Sequence, residues 1–300
     1  MELRQLKYFA KVAETLNFSD AARQLFITQS TLSHQIKQLE QELNTLLFER
    51  DNHKEVLTEA GQEILPYAQQ TLHSADTCVE RISDLQKLLA GTLNIGVTFT
   101  FSSILTETLL NFMHQYPKVK LNIFYKTMEE LMDMLEQQKV DFVLAFKPTQ
   151  MYENIESHVL FDNHLSVIVS DSHPLAGLEQ VHLEDLEKFD WAMPSKGLQA
   201  RNALEQVLAK SYFRPNVRIE LNEVHILLKL IRQSKLATIL SEATLHNEKG
   251  VKAIPLNIPG NEMAGCVHRL KNTYRKHSAQ EFIRMLSDSN AIRERVKEWL

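Results

Sequence analysis

The sequence predicts an all-α winged helix-turn-helix, a long connecting helix and then an α/β domain. Three observations carry this. Within the first sixty residues, a helix with a polar outer face follows a three-residue turn. From residue 58 to 90, apolar residues alternate by threes and fours. Beyond Gly91, β-branched apolar runs alternate with helical patterns.

Leu3, Leu6, Phe9, Ala10, Ala13 and Leu16 recur at helical spacing and predict a first amphipathic helix. Asn17-Phe18-Ser19 interrupts it. Ser19 is a good N-cap for a short second helix over 20–25, with Asp20 where the helix dipole favours an acid. Phe26-Ile27-Thr28 is the tight connection, and Thr28 can cap a third helix over 29–40.

That third helix places Leu32, Ile36 and Leu39 on one face and Gln29, Ser30, Ser33, His34 and Lys37 on the other. Two helices joined by a short turn, the second polar outside, make the geometry that enters a major groove. Gln bonds adenine in two-point fashion and Ser reads several base edges. Lys37 and Arg50 suit phosphates. Residues 48–58 then read as strand, Asp51-Asn52 turn and strand: a wing whose tip carries His53 and Lys54. With Ser19, Thr28 and Thr31 at the helix entries, these residues are the candidate DNA contacts. Charge does not advertise the role. Residues 1–62 hold seven basic and nine acidic side chains, net −2, and the chain carries −5. A basic footprint is the usual sign of a DNA binder, so local arrangement has to carry the reading.

Residues 58–90 read as one helix stopped by Gly91. Leu65, Ala68, Leu72, Ala75, Val79, Ile82 and Leu89 form an a/d stripe broken only at Gln86, which predicts pairing with a second copy. Pro66 falls inside and predicts a bend or irregular turn.

The rest alternates strand and helix. Strands are expected at 92–97, 121–125, 141–146, 165–170, 217–221 and 237–240, and helices at 102–115, 128–137, 198–210 and 224–233. Such alternation predicts βαβ units and mostly parallel sheets. Ligands of these sheets sit beyond the carboxyl ends of the strands. Those ends supply Thr98, Phe99, Thr100, Ser102 and Ser103, then Lys126, Thr127 and Lys147, then Ser195, Lys196, Arg201 and Asn222. Hydroxyls, helix N-termini, Lys and Arg together favour a small anion.

Leu3-Arg4-Gln5-Leu6-Lys7-Tyr8-Phe9, Phe18-Ser19-Asp20-Ala21-Ala22, Ser30-Thr31-Leu32-Ser33-His34-Gln35-Ile36, Leu47-Phe48-Glu49-Arg50 and Leu57-Thr58-Glu59-Ala60-Gly61 resemble, in order, the DNA-binding domain of LysR-type transcriptional regulators. Gly91-Thr92-Leu93-Asn94-Ile95-Gly96-Val97, Tyr116-Pro117, residues 141–145 and Ser172-His173-Pro174-Leu175 resemble the effector domain of that family. Within it, residues 98–101, Ala145-Phe146 and 230–232 resemble the cyanate-operon subgroup. Thr31 and His34 depart from the usual family residues, and His34 removes a fixed charge.

The resemblance implies two Rossmann-like lobes of periplasmic-binding-protein type. Lobe 1 is expected at 91–161 and 268–300 and lobe 2 at 162–267, with crossings near 160–162 and 266–268. It divides the chain into a DNA-binding domain (1–60), a linker and dimerisation helix (61–90) and an effector-binding domain (91–300). It implies double-stranded promoter DNA and a small-molecule effector as partners. A homodimer through the linker helix, a homotetramer and contact with RNA polymerase complete the expected assembly. Effector binding between the lobes would reorient them and change how the tetramer bends DNA.

Composition agrees with a globular chain: 300 residues, 44% hydrophobic and 24% charged. No apolar run long enough to span a bilayer and no signal-peptide layout appear, which predicts a cytoplasmic protein. Two cysteines, Cys78 and Cys266, do not make a disulfide framework. An enzyme on the same fold is the main alternative. The sequence offers no glycine-rich phosphate loop, no His-Glu-x-x-His and no nucleophile elbow, so no catalytic residue, metal or cofactor is expected. A transport receptor of the same fold would lack the N-terminal module.

Overall fold

A computed structural model describes residues 1–51, 54–85, 90–148, 150–209, 213–246 and 248–297. The chain divides into two compact units, Met1–Lys87 and Leu88–Leu300.

In the first unit, α1 (Leu3–Thr15) buries Leu6, Phe9 and Val12. Leu3 and Leu16, which the spacing placed in the apolar stripe, stand half-exposed at its two ends, and Val12 takes the inward position instead. The helix α2 (Phe18–Gln24) starts earlier than expected. Asn17, not Ser19, caps it: the Asn17 Oδ1 accepts the N–H groups of Ser19 at 2.9 Å and Asp20 at 3.0 Å. An Asx cap needs its acceptor two and three residues ahead of the donors, a spacing Ser19 cannot supply here. Phe26 turns the chain at φ 55°. The helix α3 (Gln29–Leu43) is capped by Thr28, whose Oγ1 accepts the Thr31 N–H at 3.2 Å.

The wing is β1 (Phe48–Asp51) paired antiparallel to β2 (Lys54–Leu57). It is anchored to α3 by Glu40, whose Oε1 accepts the N–H groups of Leu47 and Phe48 at 2.8 and 3.3 Å. Phe48 closes the small core edge-on against Phe9 and Phe18. The connecting helix α4 (Glu59–Leu85) runs unbroken through Pro66. Pro66 is exposed, so the carbonyl it leaves without an N–H partner lies toward water, and no irregular turn forms. Ala90 is not helical, and Gly91 opens a strand at φ 100°. The stripe divides in function. Leu65, Ala68 and Leu72 pack on the first unit's own core, whereas Val79 and Ile82 are 68% and 57% exposed. Gln86 and Leu89 lie outside the described residues.

The second unit contains β3 (Gly91–Val97), α5 (Ser102–Gln115), β4 (Val119–Tyr125), α6 (Met128–Glu136), β5 (Phe142–Phe146), β6 (Ile155–Phe161), β7 (Leu165–Ser170), β8 (Asp190–Pro194), α7 (Gln199–Leu208), β9 (Asn216–Leu221), α8 (Val224–Arg232), β10 (Thr238–Ser241), β11 (Val251–Pro255), β12 (Gly265–Leu270), α9 (His277–Ser287) and α10 (Asn290–Lys297). One lobe holds a sheet ordered β4-β3-β5-β12-β6. The other holds β10-β7-β11 and the pair β8-β9, joined by a parallel bridge from Trp191 to Ala237. Its order is therefore β9-β8-β10-β7-β11, the same plan repeated.

The sheets are mixed rather than mostly parallel. The ladders β3/β4, β3/β5 and β8/β9 are parallel, but β7 and β12 run antiparallel to both their neighbours. Each of these two strands enters its sheet from the other lobe, and that reverses its direction. The first crossing falls between Phe161 and Leu165. The return lies upstream of the expected 266–268, because Cys266 and His268 already pair inside the first lobe's sheet. The two crossings run side by side: His164 bridges Glu262, and the Met263 N–H donates to the Asn163 carbonyl at 2.6 Å.

Candidate nucleic-acid surface and interlobe cleft

On α3 the sequence pattern becomes a surface. Leu32, Ile36 and Leu39 are buried, while Gln29, Ser30, Thr31, His34 and Lys37 are exposed and Ser33 is half-buried. Thr28 and Ser19 are exposed at the helix entries. The Thr28 hydroxyl lies 3.0 Å from that of Ser30 and 2.8 Å from that of Thr31, so the start of α3 presents three linked hydroxyls. Gln29 and Ser33 border a groove of about 240 Å³ between α3 and the wing, with Phe18, Glu49 and Glu55 on its other walls. The backbones of Arg50 and Lys54 belong to β1 and β2; their side chains, and all of His53, lie outside the described residues.

The acidic balance of this unit is partly internal. Glu2, Glu14 and Asp20 pair with Arg4, Lys11 and Arg23 within a turn of helix. Glu40 spends its charge on wing N–H groups. Lys37 forms no ion pair among the described residues and faces solvent.

Strand ends and helix starts meet between the lobes of the second unit. A small inner cavity of about 20 Å³ is lined by Thr98, Phe99, Thr100 and Lys126 from one lobe and by Pro194 and Leu198 from the other. An outer cleft of about 680 Å³ takes Thr127 and Lys147 from the first lobe and Gly197, Gln199 and Asn202 from the second. Of the expected ligand contacts, six therefore border this space: Thr98, Phe99, Thr100, Lys126, Thr127 and Lys147.

The other six border neither cavity. Ser102 bonds the Phe99 carbonyl of its own turn at 2.7 Å, and Ser103 reaches the Ala243 carbonyl at 3.0 Å. Arg201 is held by Glu205 at 2.9 Å, by the Pro194 carbonyl at 3.2 Å and by Glu220 at 3.5 Å, so its charge is already met. The Ser195 N–H serves the sheet by donating to the Leu221 carbonyl. Lys196 and Asn222 are exposed.

Electrostatics inside the cleft are more balanced than the residue types suggest. Lys126 Nζ lies 2.8 Å from Glu130. That bond, with the backbone N–H and hydroxyl of Thr127, holds the Glu130 carboxyl down to about 2. Lys147 makes no ion pair among the described residues, but Glu129 and Glu262 share its cleft. Sequence reasoning missed Gln199 and Asn202. Both sit in the first turn of α7, and the only signal available was their place just beyond a strand end.

Among the described residues, no group of three or more His, Cys, Asp or Glu could hold a metal ion, and no helix is long and apolar enough to cross a membrane. Cys78 is exposed; burial pushes the Cys266 thiol up to about 11.

Residues 3–62 match the bacterial regulatory helix-turn-helix proteins of the lysR family, and residues 86–291 match the LysR substrate binding domain. The HTH-type transcriptional regulator YtlI of Bacillus subtilis (strain 168) is 31% identical over 302 residues, spanning 99% of this chain and 96% of the relative. A full-length OxyR variant from Pseudomonas aeruginosa superposes with a TM-score of 0.71 at 22% identity, over 98% of this chain and 95% of that one. Full-length CbnR in complex with its target DNA superposes at 0.68 and 19% identity, over 98% and 99%. At those identities the two structures establish the fold. The relatives are transcriptional regulators, not enzymes.

Proposed function

Because the chain belongs to the LysR family of bacterial transcriptional regulators, we propose that it binds promoter DNA through α3 and the wing under control of a small anion held between the lobes. The carrying observation is the outer face of α3. Five hydrogen-bonding side chains stand free of their own core on a helix whose inner face is fully buried. A helix anchored in this way presents base-reading groups without bending or unfolding.

The exposed Val79 and Ile82 favour a second copy along the far half of α4, because a long helix does not leave such a seam in water. A dimer sets two α3 helices on successive groove faces, and a tetramer spans two sites. RNA polymerase is the partner that a changed DNA bend would affect. A mobility-shift assay with the chain's own upstream DNA tests the reading. No shift at low salt, where phosphate contacts are strongest, overturns it.

For the effector, Lys147 supplies the charge and Thr98 and Thr100 the hydroxyls, the Thr127 hydroxyl being committed to Glu130. Glu129 and Glu262 favour a second reading, a ligand carrying a cationic group beside its anion, as an amino acid does. The relatives reported above do not single out the cyanate-operon subgroup, so cyanate enters only as one member of the panel. Calorimetry with cyanate, small carboxylates, inorganic anions and amino acids separates the two readings. Binding of neutral compounds alone overturns both.

A further inference from the structure

Gln199 joins the two lobes. It is the first residue of α7, and Phe146 is the last of β5 in the other lobe. The Phe146 N–H donates to Gln199 Oε1 at 3.1 Å, and Gln199 Nε2 donates to the Phe146 carbonyl at 3.1 Å. The reason lies in the sheet. The strand β3 pairs with β5 only as far as Leu144, where the Thr98 N–H donates to the Leu144 carbonyl at 3.0 Å. Two residues on, Phe146 turns its N–H and carbonyl to the same side, and β3 is no longer there. The Gln199 carboxamide completes the ladder in its place.

Gln199 also borders both spaces between the lobes. The inner cavity, about 20 Å³, holds no more than one water. The outer cleft is about 680 Å³. Gln199 is shared by the linings of both spaces, so a ligand passing from the outer cleft toward Thr98 and Thr100 displaces its side chain. The Phe146 ring does not yield easily: it is buried against Phe101 and Phe161.

We propose that Gln199 is a latch and positioning residue. Its carboxamide holds the Phe146 peptide when the inner pocket is empty, and it must leave that peptide for a ligand to enter. This rests on the cleft being the ligand site. The incoming group has to accept the Phe146 N–H, which a carboxylate or a carboxamide can do.

The test is access to the inner wall. Ala200 lines the inner cavity and is buried. In the full-length chain with Cys78→Ser, an Ala200→Cys variant is labelled with methyl methanethiosulfonate, with and without Gln199→Ala. Losing two neutral hydrogen bonds should speed labelling about tenfold to hundredfold. Gln199→Asn, one methylene short of the span, should behave like Gln199→Ala. Gln199→Glu keeps the acceptor and loses the donor, so it should fall between. Equal labelling rates in the wild-type and Gln199→Ala backgrounds overturn the latch. Should the introduced cysteine prevent folding, hydrogen exchange in Gln199→Ala alone decides at Thr98, which lines the inner cavity and whose N–H is bonded to Leu144 rather than to Gln199: a faster Thr98 amide supports the latch and an unchanged one overturns it. Neither readout involves DNA. Failure of the mobility shift with faster labelling sinks the regulator reading and keeps the latch; the reverse result sinks only the latch.

Discussion

Lys276 Nζ lies 3.0 Å from Asp141 Oδ1 in the first lobe, with both side chains about nine-tenths buried. Each partner is also held by backbone: Lys276 donates to the Thr92 carbonyl at 3.1 Å, and Asp141 accepts the Asn94 N–H at 2.7 Å. The pair thus ties the residue that caps α9 to the strands β3 and β5. Removing one member leaves a buried charge without its partner, which costs about 3–5 kcal/mol. Lys276→Met and Asp141→Leu should each lower stability by that order in denaturant titration. The double variant should lose clearly less than the two losses added. Additive losses would show that the pair does not couple.

Stability should also fall in mild acid, through His268. Its ring is buried; Nδ1 lies 2.8 Å from the Ser157 hydroxyl and Nε2 lies 3.2 Å from the Ala145 carbonyl. That pairing suits the neutral ring protonated at Nε2. Burial pushes the imidazole down to about 4 from its ordinary 6.5, against hydrogen bonds to the Ala145 and Phe146 backbone that raise it. The unfolded chain therefore takes up the proton first. The contribution is complete above about pH 6.5 and is lost as pH falls toward 4. At about 1.4 kcal/mol per pH unit, the loss is roughly 3 kcal/mol. His268→Gln should flatten this part of the stability–pH curve; an unchanged slope between pH 6.5 and 4 would assign the acid sensitivity elsewhere.

Gly61 is required by a close approach. It lies in the first turn of α4, where a Cβ would stand 2.2 Å from the Leu47 carbonyl oxygen and 2.9 Å from Leu57 Cδ2. Alanine is the better helix former by about 1 kcal/mol. Overpacking costs about 1–3 kcal/mol, and an oxygen contact this short leaves no room for relaxation without moving the start of β1. The clash wins, so Gly61→Ala should lower the melting temperature and weaken DNA binding together. A more stable variant would show that helix preference governs the position.

The local elements were legible because their signals are local. Thr28, Leu32, Ile36 and Leu39 follow from helical spacing and cap chemistry, and residues 48–57 from turn chemistry. The cap expected at Ser19 and found at Asn17 shows the limit: Asn and Ser are both good caps, and only backbone geometry chooses. The antiparallel strands β7 and β12 were illegible because their direction is set by the lobe crossings, which a run of apolar residues does not record. The cleft fared similarly. Strand ends placed Thr98, Thr100 and Lys147 near it, but which way Arg201 turns depends on Glu205 and Glu220, the latter nineteen residues away. Gln199 was hidden because its partner is a backbone peptide in the other lobe.

The groove-facing assignment of α3 makes two predictions that differ in kind. Gln29 and Ser33 border the groove beside the wing and carry donors and acceptors that discriminate bases. Gln29→Ala or Ser33→Ala should cost about 1–3 kcal/mol at the operator while leaving random DNA nearly untouched. Lys37 is exposed one helical turn beyond Ser33, and a point charge there meets phosphate rather than a base edge. Lys37→Ala should weaken all sequences about equally and reduce the salt slope by about one per subunit. Glu49 also borders the groove beside Gln29, and a carboxylate there disfavours a close phosphate. Fluorescence anisotropy against operator and random duplexes over a salt series measures both effects. Undiminished discrimination in both Gln29→Ala and Ser33→Ala would remove this face from the interface, whatever Lys37→Ala does.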